Sequence, residues 1–362
     1  MSENNNLIKS KTTHNLEGIQ YLRGIAVFIV VLSHVTGMAK FPKYFDTSIL
    51  GGFFKAGGTG VDLFFVISGF IIAYTSLSSN LKPKITVQKF LQKRAIRIIP
   101  LMWISIISYA LLRYVGRDGF FDPLPILRAL FLYPIGEVAP NVIWTLRHEA
   151  LFYIIFCSSW FAGRFYLLII GAWFVSPLLL MPFVDNTSTL FNFFFNKLNL
   201  LFGAGFVIAV LYLKGYIKPL FELRHVFIIS IILGACLLIY SDITGYISND
   251  PTQIRTTFDT ALMAFVCATI VILMLIIRKT HESSWGNNLL LLLGEASYSI
   301  YLFHEFFISF SLGFWSKLNK NAYPPSVLFV VSSISIIGSV IIYFLIEKNV
   351  ILKINKWVNR GK

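Results

Sequence analysis

Apolar runs long enough to cross a bilayer follow one another along nearly the whole of this chain, and no other feature constrains its fold as much. A hydrocarbon core about 30 Å thick needs roughly 20 apolar residues in a helix, so runs of about 17 to 25 are read as spans. About ten fall near 19–38, 61–78, 98–115, 142–161, 165–182, 198–213, 225–241, 258–277, 289–312 and 326–346. The expected fold is all-α, a polytopic membrane helix bundle. Hydrophobic residues make up 56% of the chain and charged ones 13%, which excludes an ordinary soluble domain. Residues 1–18 read as a polar N-terminal segment, 19–347 as one membrane domain and 348–362 as a basic tail. The polar head shows no small-residue cleavage site before the first span, which is expected to be a retained helix.

The net charge of +14 raises a nucleic-acid reading that the placement of the charge removes. With the N-terminus inside, the inner segments hold about twice as many Lys and Arg residues as the outer ones, as the positive-inside rule requires. Both termini are then cytoplasmic, and the basic balance reports orientation in a membrane. Cys157, Cys236 and Cys267 all fall in apolar spans, where they are expected to pack as small hydrophobes. No disulfide framework, metal-ligand spacing or phosphate-binding loop is present in the sequence.

Ionisable residues inside the spans are costly, by roughly 2.5–3.5 kcal/mol for an Arg at a helix centre, and so mark candidate function. Arg23 and His34 lie in the first span. Eleven residues apart, they share one face of a helix at depths differing by about 16 Å. Asp62 is expected near the outer mouth of the second span, with Ser68 and Gly69 within it. The plainer role for Ser68-Gly69 is a small-residue patch for helix contact. Lys82, Lys84, Lys89, Lys93, Arg94 and Arg97 form a basic stretch that leads through Pro100 into the third span. Such a helix lies in the headgroup layer and binds anionic lipid. Arg94 and Arg97, three residues apart, equally suit a grip on a phosphorylated donor.

Trp144-Thr145-Leu146-Arg147-His148-Glu149 opens the fourth span, with Phe152-Tyr153 following. Arg147 has a structural explanation, pairing with a carboxylate such as Asp62, whereas Glu149 reads as functional. The ninth span carries Tyr298-Ser299-Ile300-Tyr301-Leu302-Phe303-His304-Glu305, in which a lone buried His304 is more readily hydrogen-bonded structure than catalyst. Alternating span directions bring His34, Glu149 and His304 to one outer level. A carboxylate beside a histidine fixes its tautomer and stabilises the imidazolium, so Glu149 is the expected partner of His34. Arg23, Arg94 and Arg97 are expected to gather toward the cytoplasmic side.

These residues resemble the acyltransferase-3 family of integral membrane acyltransferases. The resemblance rests on Arg23 and His34 with ten residues between them, Gly60-Val61-Asp62-Leu63-Phe64-Phe65-Val66-Ile67-Ser68-Gly69-Phe70, the Arg94/Arg97-Pro100 stretch, Trp144-Thr145-Leu146 with Glu149 and Phe152-Tyr153, and Ser297-Tyr298-Ser299-Ile300-Tyr301-Leu302 before His304. It covers about residues 16 to 347 and implies transfer of acetyl, or another short acyl group, from cytoplasmic acyl-coenzyme A to hydroxyls of extracytoplasmic carbohydrates such as O-antigen or exopolysaccharide. It implies a bacterial inner-membrane protein in which acyl-CoA is a co-substrate, with no tightly bound cofactor and no metal. Arg23 and His34 match the family's essential Arg and His. Arg147-His148 is a variable part of the pattern and takes no catalytic role. Some relatives carry an added esterase-like domain; none is expected here, so the membrane domain would complete the transfer.

Together these features point to His34 and Glu149 as catalytic and to Arg23, Arg94 and Arg97 as donor-binding. Asp62, Ser68, Tyr153, Tyr298 and His304 are expected to line the site. His34 would either deprotonate the acceptor hydroxyl or carry the acyl group itself. A transporter or flippase for an anionic, lipid-linked glycan would use the same Arg and His as a translocation path. A non-catalytic assembly partner would gain nothing from a convergent polar set.

Overall fold

A computed structural model describes residues 17–46, 48–116, 122–180, 189–218, 221–222, 228–230, 232–236, 239–240, 257–278, 285–319 and 323–360. Among these, seven helices are long and apolar enough to cross a membrane: Glu17–Ala39, Ile49–Ser76, Val87–Gly116, Ile143–Leu180, Leu190–Leu213, Phe258–Leu275 and Pro324–Ile354. The protein is a helical, multi-pass membrane protein. The difference from ten has physical causes. The expected spans 142–161 and 165–182 form one apolar run, in which α-helices Ile143–Ser159 and Tyr166–Leu180 are joined by a 3-10 turn, Trp160–Phe165, kinked at Gly163 with φ 55°. The expected span 225–241 is described only in the short pieces 228–230, 232–236 and 239–240. The ninth breaks at Ala296 into Trp285–Glu295 and Ser297–Leu318, and the polar side chains of the latter dilute its hydropathy. Among the described residues the fold is all-helical apart from a two-residue parallel pairing of Phe221–Glu222 with Ile277–Arg278.

In chain order the helices are α1 Glu17–Ala39, α2 Thr59–Ser76, α3 Val87–Gly116, α4 Pro123–Leu130, α5 Ile143–Ser159, α6 Tyr166–Leu180, α7 Thr189–Phe194, α8 Leu198–Leu213, α9 Thr257–Leu275, α10 Trp285–Glu295, α11 Ser297–Leu318, α12 Pro324–Ile342 and α13 Lys348–Arg360. The expected outer loop before the second span is itself helical: a 3-10 segment, Ile49–Gly58, runs straight into α2. Leu50, Gly51 and Gly52 at its start have φ of 47°, 63° and 88°, a left-handed turn that glycine supplies without steric cost.

Two compact units share the chain. The first comprises residues 1–30, 56–84 and 200–297. Its helices α2 and α9 pack together, and α2 meets α8 backbone to backbone. A Cβ on Gly205 would lie 1.9 Å from the Val66 carbonyl oxygen, and one on Gly69 would lie 2.2 Å from that of Phe202. This close crossing is what small residues provide in membranes, where apolar side chains gain little by leaving lipid. The small-residue role for Ser68-Gly69 is therefore seen directly. Gly205→Val has no room to relax into and is expected to cost about 3 kcal/mol. The check is a lowered melting temperature of the detergent-purified protein.

The second unit comprises residues 31–55, 85–199 and 298–362. Here α3 is continuous through Pro100, as the sequence suggested, so Lys89, Lys93, Arg94 and Arg97 share one helix with the third span, while Lys82 and Lys84 precede it. Proline removes the hydrogen bond that its N–H would give the Ile96 carbonyl, and lipid offers no water in its place. Helix α11 organises this unit. Tyr298 donates to the Ile98 carbonyl at 2.8 Å and Ser299 to the Glu347 carboxylate at 2.5 Å, while Tyr301 bonds the Thr145 hydroxyl at 2.8 Å. Glu347 ends a π-helical turn, Tyr343–Glu347, between α12 and α13. Such turns re-aim one side chain, here a buried carboxylate onto α11.

Candidate active site

Buried polar groups in the second unit collect at two levels of α11. At the first, His34 of α1 meets His304 and Glu305 of α11. The His34 Nδ1 lies 3.7 Å from Glu305 Oε1, and the His34 and His304 ring centroids are 4.7 Å apart at 73°, an edge-to-face contact. The second Glu305 oxygen accepts the backbone N–H of Asn141 at 3.1 Å, which fixes the carboxylate. Tyr109 and Arg113 of α3 reach the same carboxylate electrostatically, and Arg113 donates to the Tyr109 hydroxyl at 3.2 Å.

His304 is fully buried. Its Nδ1 lies 2.7 Å from the Tyr301 carbonyl oxygen and 3.1 Å from that of Ile300. Carbonyls only accept, so Nδ1 carries the hydrogen and Nε2 presents a lone pair. Among the described residues that Nε2 has no hydrogen-bond partner, and it is buried. Burying such an acceptor without a donor costs about 1–3 kcal/mol.

Beyond α1 the chain stays close to His34. Ser33 donates to the Lys55 carbonyl at 3.0 Å. Lys40, just past the helix, has its ammonium pushed down to about 8, first by its hydrogen bond to Lys55, then by partial burial and the like charge.

The second level lies six to seven residues back along α11, roughly 10 Å away at 1.5 Å per residue. Tyr153 donates a short hydrogen bond to Glu149. The Arg94 guanidinium lies 5.7 Å from the Tyr153 ring centroid and 5.5 Å from that of Phe90. Arg94 and Arg97 act electrostatically on Tyr153, and Glu149, Glu347 and Arg97 act on Tyr298. The structure thus brings Glu149, Tyr153, Tyr298, Arg94 and Arg97 together.

The expected pairing of Glu149 with His34 is corrected by this register. Asn141 is level with Glu305, Thr145 with Tyr301, and Glu149 with Tyr298. Glu149 therefore sits about two turns deeper than the imidazole, and Glu305 is the carboxylate set against His34. Glu305 was legible only as the neighbour of His304. Tyr109 and Arg113 carried no signal, since an aromatic and a basic residue in the last turns of a span are ordinary interface anchors.

The remaining expected residues fall in the first unit. Arg23 is buried and donates to Ser297 Oγ at 2.7 Å and to Gln20 Oε1 at 3.2 Å. Asp62 is buried in the first turn of α2, where its charge acts on Cys267, rather than standing at a mouth. Half-buried Ser68 flanks the α2–α8 crossing. Arg147, in the second unit, donates to the Gly136 carbonyl at 2.8 Å, a main-chain anchor in place of the expected carboxylate. Cys157 and Cys267 are buried as expected, whereas Cys236 is exposed. Among the described residues no group of His, Cys, Asp or Glu is arranged to hold a metal ion.

A family model described as an acyltransferase domain, of the acyltransferase-3 type, matches residues 16–344. The chain belongs to the acyltransferase-3 family. This member is 30% identical over 275 residues to the exopolysaccharide production protein ExoZ of Rhizobium meliloti (strain 1021), covering 72% of this chain and 79% of that one. It is 31% identical over 150 residues to the O-acetyl transferase of Shigella phage Sf6, covering 37% and 42% respectively. Against a putative O-acetyltransferase of Staphylococcus aureus (strain COL) the identity is 25% over 386 residues, covering 96% of this chain and 59% of that protein. No solved structure matches. As an acyltransferase-3 protein the chain is an acyltransferase enzyme, and the histidines and carboxylate of α1 and α11 are groups suited to that chemistry.

Proposed function

We propose that this acyltransferase moves a short acyl group, acetyl in the first instance, from cytoplasmic acyl-coenzyme A to a hydroxyl of an extracytoplasmic carbohydrate, in the inner membrane of a bacterium. The observation that carries the proposal is His34 held between His304 and a fixed Glu305 inside a membrane helix unit. Relatives named for exopolysaccharide production and for O-acetyl transfer support a carbohydrate acceptor. The 3.7 Å separation of His34 and Glu305 exceeds a hydrogen bond. Such contacts commonly tighten once substrate is bound. Two routes run through the same imidazole: it takes the proton of the acceptor hydroxyl, or it takes the acyl group. In both, Glu305 stabilises the imidazolium that forms.

Arg94 and Arg97 suit the donor, because guanidinium groups pair with phosphate bidentately. They lie at the second level, about 10 Å from the histidines along α11, and a pantetheine arm bridges such a gap between phosphates and thioester. Glu149, bonded by Tyr153 beside Arg94, then orients the donor end instead of His34.

Arg97→Ala is expected to raise KM for acetyl-CoA about tenfold, equivalent to about 1.4 kcal/mol. KM for acetyl-pantetheine, which lacks the nucleotide phosphates, should not change. The function itself is tested by reconstituting the protein in liposomes with radiolabelled acetyl-CoA and an oligosaccharide. Alkali-labile label in the saccharide is the expected result; movement of saccharide across the bilayer without a new ester would favour a flippase.

A further inference from the structure

The first-level cluster contains two histidines, and one imidazole is enough to act as a base. His304 has the features of a group kept for a ligand. Its hydrogen is committed to the Tyr301 and Ile300 carbonyls, so its tautomer is locked with Nε2 as an acceptor. A buried histidine that served packing alone would have both nitrogens bonded, as buried polar atoms nearly always are. Here Nε2 is buried without a partner among the described residues, on a ring 4.7 Å from His34. The Ser335 hydroxyl, 3.5 Å from the His304 carbonyl oxygen, braces that turn of α11 from α12.

We infer that the two histidines divide the reaction: His34 carries the acyl group, and His304 Nε2 takes the proton of the acceptor hydroxyl. This rests on the acyl-transfer reading above. In the first step a lone pair of His34 attacks the thioester carbonyl, the C–S bond breaks and coenzyme A leaves as thiolate. Glu305 faces the resulting cationic acyl-imidazole. In the second step the acceptor O–H gives its proton to His304 Nε2 as its oxygen forms the new C–O bond. The C–N bond to His34 breaks, and its electron pair returns to the ring. The proton gained by His304 balances the one that the coenzyme A thiolate takes up to leave as a thiol.

The test separates acceptors that need a base from one that does not. Hydroxylamine attacks through a nitrogen lone pair without first losing a proton. His304→Asn keeps an amide N–H for the Tyr301 carbonyl and removes the basic nitrogen. Acetyl transfer from acetyl-CoA to the sugar hydroxyl is expected to fall about 10²–10⁴-fold, with transfer to hydroxylamine unchanged within about threefold. His304→Gln is made alongside, and whichever variant elutes from detergent as the wild type does carries the comparison. Equal loss with both acceptors in folded protein would make His304 a structural residue and overturn the inference, as would retention of both. Wild-type protein that forms no sugar ester at all would instead remove the carbohydrate reading, and this inference with it.

Discussion

Replacement of His34 by Gln should lower acetyl transfer to the saccharide by at least about 10³-fold while leaving membrane insertion and detergent elution unchanged. The size follows from position. His34 of α1 meets both His304 and Glu305. In either route its ring nitrogen makes or releases a bond to the reacting atoms, and glutamine offers neither a basic nor a nucleophilic nitrogen. The loss should appear in kcat with little change in KM for acetyl-CoA, because the donor phosphates are assigned to arginines at the other level. It is measured as radiolabel incorporated per mole of folded protein. A variant retaining more than about a tenth of the wild-type rate would remove His34 from the chemistry.

Glu305→Gln should cost about 10²–10³-fold in the same assay, because the carboxylate that offsets the imidazolium becomes neutral while its shape is kept. The amide can still accept the Asn141 N–H, so the loss reports charge and not packing. Glu149→Gln offers the contrast. Its carboxylate is engaged by Tyr153 and lies about 10 Å from the imidazole along α11, so its replacement should act mainly on KM for the donor, by about tenfold or less. The two glutamates are therefore separable by which kinetic constant moves. If Glu149→Gln proved the more damaging to kcat, the order of the two levels would be wrong.

Much of this was legible in the sequence, and the part that was not has a definite physical origin. Apolar run length is an additive property of neighbours, so the spans could be read directly, and ionisable outliers such as Arg23 and His34 stand out against it. The partner of His34 depends on how far α5 is shifted along α11, and run length does not encode that shift. Counting from span ends put Glu149 level with His34. One hydrogen bond, from the Asn141 backbone N–H to the Glu305 carboxylate, marks a register two turns away from that. Likewise Gly69 could be recognised as a contact residue, but the backbone it touches, at Phe202, is more than a hundred residues away in sequence. That Nε2 of His304 is without a partner among the described residues depends on rotamer and burial, which no residue pattern reports.

That His34 and Glu305 work as one unit is tested most directly by combining their replacements in an assay that follows rates over about a 10⁶-fold range. If the carboxylate acts only through the imidazole, the His34→Gln, Glu305→Gln double variant should transfer acetyl within about threefold of the rate of His34→Gln alone. Losses that multiply would contradict the account, since Glu305 would then contribute independently of the histidine beside it.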